Sequence, residues 1–123
     1  MNKAWLVFPL SILFIFTLLP VYALAFSEEE KIMMIIESIR DTPLGTQFIR
    51  NDKSYRVDDA VSHLKLKYSR TKSKVKTAED FIKYVASGSS VSGKEYLLRY
   101  PDGTTVTAAV FFTEKLRKLE KKG

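Results

Sequence analysis

Ser87-Gly88-Ser89-Ser90-Val91-Ser92-Gly93-Lys94-Glu95-Tyr96, continuing as Leu97-Leu98-Arg99-Tyr100-Pro101-Asp102-Gly103-Thr104-Thr105-Val106, is where the chain passes from a helical pattern into a hairpin. Residues 95–100 read as a strand, Pro101-Asp102-Gly103 as a tight turn and residues 104–106 as the returning strand. Upstream, Thr77-Ala78-Glu79-Asp80 offers a helix cap at Thr77. Phe81, Ile82 and Val85, with Tyr84 beside them, then recur at core-facing helical spacing until Ser87-Gly88 stops the helix. Downstream, Thr107 can cap a last helix carrying Ala108, Ala109, Phe112, Leu116 and Leu119.

The amino-terminal half carries its own helix and hairpin signals, without an internal repeat. Ser27-Glu28-Glu29-Glu30 is a capping box, and Ile32, Ile35, Ile36 and Ile39 follow at helical spacing until Pro43 and Gly45 break the pattern. Residues 46–50 predict a strand, and Asn51-Asp52-Lys53-Ser54 a turn before Tyr55 and Arg56. Asp58 or Asp59 then caps a helix with Ala60, Val61, Leu64 and Tyr68 on one stripe. The order is helix, strand pair, two helices, strand pair, helix. Without strand-helix-strand alternation this predicts a small single α+β domain: a short antiparallel sheet of two hairpins packed by about four helices.

Residues 1–25 read as an export signal. Lys3 precedes an uncharged apolar run, Pro20 breaks it, and Ala23-Leu24-Ala25 predicts cleavage after Ala25, leaving one domain over residues 26–123. The run from Ala4 to Phe26 is also long enough to span a bilayer, so an uncleaved, membrane-tethered domain is the competing expectation. Either way the domain faces out of the cytoplasm, and periplasmic or secreted localisation follows. The chain lacks cysteine, which excludes a disulfide framework and a thiol nucleophile, and its net charge of +6 suits an anionic envelope component. No cofactor or metal is expected, because one histidine and scattered carboxylates make no ligand set. Aromatics are not interleaved with the basic run from Lys65 to Lys76, which argues against nucleic acid. That run itself reads as a solvated connection.

Gly88 to Lys94 has the spacing of a phosphate-binding loop. The match fails on chemistry, since Glu95 stands where a hydroxyl should bind magnesium and the loop leads into a strand. Two readings remain for it: a surface of small residues and Lys94 offered to an anion, or a turn whose serines satisfy their own backbone. His63 is the sole histidine, and Asp59 lies one helical turn before it, positioned to orient an imidazole for acid-base work with Ser90 or Ser92 as nucleophile. A structural, hydrogen-bonded histidine is the competing role.

Phe48-Ile49-Arg50-Asn51, Ala60-Val61-Ser62-His63-Leu64 with Lys67, Thr77-Ala78-Glu79-Asp80-Phe81-Ile82 and Ser89-Ser90-Val91-Ser92-Gly93-Lys94-Glu95-Tyr96 together resemble the YfeK-like family of small exported bacterial proteins. The resemblance implies a signal peptide and a single periplasmic domain of unknown function. It singles out Arg50, Asn51, His63, Ser89, Ser90, Ser92, Gly93 and Tyr96 as positions of the family motif, and Asp52 departs from the Asn-Gly turn expected there. With Lys94, these residues form the candidate binding surface, and no catalytic set is written. The expected function is a non-enzymatic binding or interaction module for an envelope protein or anionic envelope component; a small envelope-polymer hydrolase or transferase using His63 is the alternative.

Overall fold

The computed structural model describes residues 25–122, so the signal segment and its cleavage lie outside the described residues. Helix α1 (Glu28–Glu37) opens on the expected box: the Glu30 amide donates to Ser27 Oγ at 3.1 Å and the Ser27 amide to Glu30 Oε1 at 2.9 Å. A 3-10 turn (Ser38–Asp41) tightens its end and keeps Ile39 in the core beside Ile32, Ile35 and Ile36. Strands β1 (Gln47–Arg50) and β2 (Lys53–Arg56) form the first hairpin. Asn51 and Asp52 turn it with φ of 50° and 67°. That left-handed pair matches the twist of the flanking strands, so the turn forms with Asp in place of glycine.

Helix α2 (Val57–Thr71) follows with no spacer. Its amino-terminal cap position is Arg56, not Asp58 or Asp59. Both aspartates fall inside the first turn, where their charge favours the helix dipole, and Asp58 pairs with Arg40. The basic stretch is not one solvated face. Lys65 reaches Glu37, Lys72 reaches Glu29, Lys67 turns inward, and Val75 is buried among core side chains.

Helix α3 (Ala78–Phe81) starts at Thr77, whose hydroxyl accepts from the Asp80 amide at 3.0 Å while Asp80 accepts from the Thr77 amide at 3.2 Å. It continues as a π-helical turn (Ile82–Ala86), a winding that sequence periodicity does not anticipate. Ile82, Val85 and Ala86 stay buried, whereas Tyr84 points to solvent and leaves the core it was assigned to. Strands β3 (Leu97–Arg99) and β4 (Thr105–Thr107) make the second hairpin, and α4 (Ala108–Lys122) is capped by Thr107, which accepts from the Val110 amide at 3.2 Å.

The two hairpins join into one antiparallel sheet in the order β2-β1-β3-β4. Register places Tyr55, Phe48, Leu98 and Val106 in one row across the four strands. Side chains alternate along a strand, so this row defines the face packed against the helices, where Ile36, Leu64, Phe81, Val85 and Phe112 complete the core. Each such side chain contributes about 1.5–3 kcal/mol on burial, enough in sum to hold a small domain without covalent staples. The architecture is a small α+β domain.

Candidate functional site

Arg50 is the last residue of β1 and shares the inward face with Phe48, two residues earlier. It is therefore delivered to the flank of α2, where His63 and Lys67 stand one turn apart beside the buried Ala60, Val61 and Leu64. From the other side comes Tyr96, 2% exposed, its ring centroid 5.2 Å from Phe48 and 6.0 Å, edge-on, from His63. Tyr55, opposite Phe48 on β2, closes the group.

Arg50 Nη1 lies 2.6 Å from His63 Nδ1 and 3.0 Å from Nε2, and Nη2 donates to the Tyr55 hydroxyl at 3.4 Å, with the guanidinium 4.9 Å from that ring's centre. Guanidinium has only donors, and Nη1 packs against the ring within reach of both of its nitrogens. His63 Nε2 lies 3.4 Å from the Tyr96 oxygen. That oxygen accepts from Lys67 Nζ at 3.2 Å, and Lys67 spends its other protons on the carbonyls of Val85, at 2.9 Å, and Gly88, at 2.7 Å. Lys67 is a clamp: it ties α2 to the end of the π-helical turn and to the root of the Ser/Gly loop.

Burial, then the charges of Arg50 and Lys67, push the His63 pKa down from 6.5 to about 4, so the ring is neutral at physiological pH. Burial chiefly, with Arg50 adding to it, lowers the Lys67 ammonium, and burial raises the Tyr96 phenol against the opposing effect of Arg50. None of the ion pairs among the described residues involves Arg50 or Lys67. In front of Arg50 opens a cavity of about 240 Å³ lined by Phe48, Arg50, Tyr55, Asp59, Ala60 and His63.

The Ser/Gly loop folds largely upon itself. Ser89 Oγ accepts from the amides of Val91 and Ser92, Ser92 Oγ from that of Lys94, and Gly93, at φ 76°, donates its amide to the Ser89 carbonyl. Gly88 is needed for close approach, because a Cβ there would meet the Lys94 carbonyl oxygen at 2.7 Å. The loop docks on the first hairpin through Ser92 Oγ, which donates to Asn51 Oδ1 at 2.5 Å, and through Lys94 Nζ, 2.6 Å from Asp52.

The structure therefore brings Arg50, His63 and Tyr96 together and, next to them, Asn51, Ser92 and Lys94. Ser89 and Gly93 serve the loop's own backbone, and Ser90 lines a different hollow with Thr71, Lys74, Val75 and Tyr84. Among the described residues no hydrogen bond joins any loop serine to His63. Asp59 lines the cavity without bonding the imidazole; Arg50 holds that place, and a cation there disfavours the protonated ring that Asp59 would have favoured. Tyr55 and the clamp role of Lys67 were missed by sequence reasoning. The spacing from His63 to Lys67 and the alternation from Lys53 to Tyr55 were the available signals.

Residues 26–120 match a family described as of unknown function, DUF5329. The chain belongs to this family. A stretch of 49 residues, 40% of the chain, is 49% identical to the uncharacterized protein YfeK of Salmonella typhimurium and spans 41% of that protein's length. No solved structure matches the chain.

Proposed function

We propose that this domain is a binding module, acting outside the cytoplasm, that receives an anionic group of its ligand in the cavity between the first hairpin and α2. One observation carries the reading: half-buried Arg50 faces that cavity beside a neutral imidazole and, among the described residues, makes no ion pair, the Asp59 carboxylate on the same wall standing beyond salt-bridge distance. A partly desolvated charge without a contacting counter-charge is costly, and an incoming anion neutralises it. The Ser/Gly loop, with exposed Val91 at its tip, docks on the turn of the same hairpin and offers a partner a second surface. Binding fits this geometry better than hydrolysis, since among the described residues His63 faces Arg50 and Tyr96 and no loop serine that could serve as its nucleophile.

Amide chemical-shift titration of the exported chain with acetate and with inorganic phosphate tests this. Saturable shifts at Arg50, Tyr55, Ala60 and His63, lost in Arg50→Gln, are expected. Absence of saturable shifts with both anions overturns it. Intact mass tests the address: a chain beginning at Phe26 is expected, and one retaining residues 1–25 replaces a free module with a tethered one.

A further inference from the structure

Resting on the anion-site reading, we infer that the group received beside Arg50 is a carboxylate carried on an apolar body, and not a phosphate. The charge available is the first argument. Lys67 has three donors and all three are engaged, by Val85, Gly88 and Tyr96, so its ammonium does not reach into the cavity. Arg50 is then the one cation lining the space among the described residues, and Asp59 stands on the same wall. Either anion meets the same guanidinium and the same like charge, and the repulsion from Asp59 is twice as large for a phosphate dianion as for a carboxylate.

Donor geometry allows this. Of the five N-H groups of Arg50, one faces His63 and one Tyr55, and the three left suffice for the two parallel bonds that a carboxylate, like a phosphate, takes from a planar fork, so the charge argument decides between them. The Tyr55 hydroxyl accepts from Arg50 and keeps its own proton for a ligand oxygen. His63 adds no charge for a polyanion, because burial between Arg50 and Lys67 keeps its ring neutral.

Phe48 and Ala60 floor the cavity at 1% exposure each, and the apolar surface open to a ligand is the body of Tyr55, so the group that carries the carboxylate rests its apolar face on that ring. About 240 Å³ is the room of about eight waters. That admits one aromatic acid or one terminal residue. Two sources share this chemistry: a free small acid, and the carboxyl-terminal residue of a protein chain.

Calorimetry on the exported chain separates them, with four probes: benzoate, an acetylated tripeptide ending in Phe with a free carboxylate, the same peptide amidated, and inorganic phosphate. We expect benzoate or the free peptide to bind at least tenfold more tightly than phosphate, and amidation to cost at least tenfold. Tighter binding of benzoate assigns the small acid; tighter binding of the free peptide assigns the chain end. Phosphate binding equal to or tighter than both acids overturns the inference while leaving an anion site, and failure of all four probes overturns both readings. Arg50→Gln is expected to lose at least tenfold toward carboxylates. Because that variant removes a packed side chain, Asp59→Asn, at an exposed position, supplies the second arm: it should improve phosphate at least threefold more than it improves benzoate, and equal or no improvement overturns the charge argument.

Discussion

His63, the only histidine in the chain, is the group at the site whose ordinary titration range lies nearest neutrality. Its neighbours are Arg50 from β1, Lys67 from its own helix, Tyr96 from the strand approach, and Tyr55 and Asp59 on the cavity walls. Unfolded, the imidazole takes a proton near 6.5; folded, only near about 4. Between those values the unfolded chain holds a proton that the native state refuses, so stability falls as pH drops through this window. It is unaffected by this group above it, and falls no further below it. At about 1.36 kcal/mol per tenfold change in proton affinity, the full span is worth roughly 3 kcal/mol. Solvent entering the cavity screens the cations and trims this to roughly 1–2 kcal/mol. Proton NMR of the untagged chain reads the ring directly, and urea unfolding at neutral pH and near about pH 4.5 reads the energy. His63→Gln should lack this increment of acid sensitivity, and Arg50→Met should move the ring's midpoint upward. A wild-type midpoint near 6.5, or one unmoved in Arg50→Met, refutes the reasoning that burial between cations keeps this ring neutral.

Lys67→Met keeps the stem but strips the donor from the Val85 and Gly88 carbonyls; a loss of about 1–3 kcal/mol by urea unfolding, with faster amide exchange in residues 88–96, is expected. Gly88→Ala forces a carbon against the Lys94 carbonyl and opens the Gly88–Glu95 bridge, costing about 1–3 kcal/mol in the same assay; an unchanged midpoint would contradict the close approach. Asp52→Gly removes a left-handed side chain and an exposed ion pair with Lys94 at once. The backbone relief, up to about 1 kcal/mol, matches or exceeds what such a pair contributes, so thermal unfolding should show no loss and at most a small gain.

Features fixed by neighbours in sequence were legible. The boxes at Ser27 and Thr77, the Pro101-Asp102-Gly103 turn and the Ile stripe of α1 each depend on side chains within a turn of one another, and each appears where its pattern predicts. What fails is non-local. Asp58 and Asp59 are good caps by type, but β2 runs straight into α2 and moves the cap position to Arg56. Asp59 does share a helical flank with His63, yet the contact to the ring comes from a strand thirteen positions upstream in sequence. The lysines from 65 to 76 look alike as a string; which of them turns inward depends on the carbonyls that the π-helical turn and Gly88 leave within reach. Of the motif positions, Arg50, His63 and Tyr96 meet in space because β1, α2 and the approach to β3 converge, which no spacing rule contains.

The strand order has one more consequence. The seam between β1 and β3 joins two locally formed ribbons, and closing the roughly 50 residues between Ile49 and Leu97 costs at least about 3 kcal/mol in chain entropy. An isolated ribbon of this length is marginal in water, so the seam and the helices packed on the sheet hold both ribbons in place. A cut at the exposed bend at residues 72–74, which belongs to neither ribbon, would leave half of the sheet on each piece and part Arg50 and His63 from Tyr96.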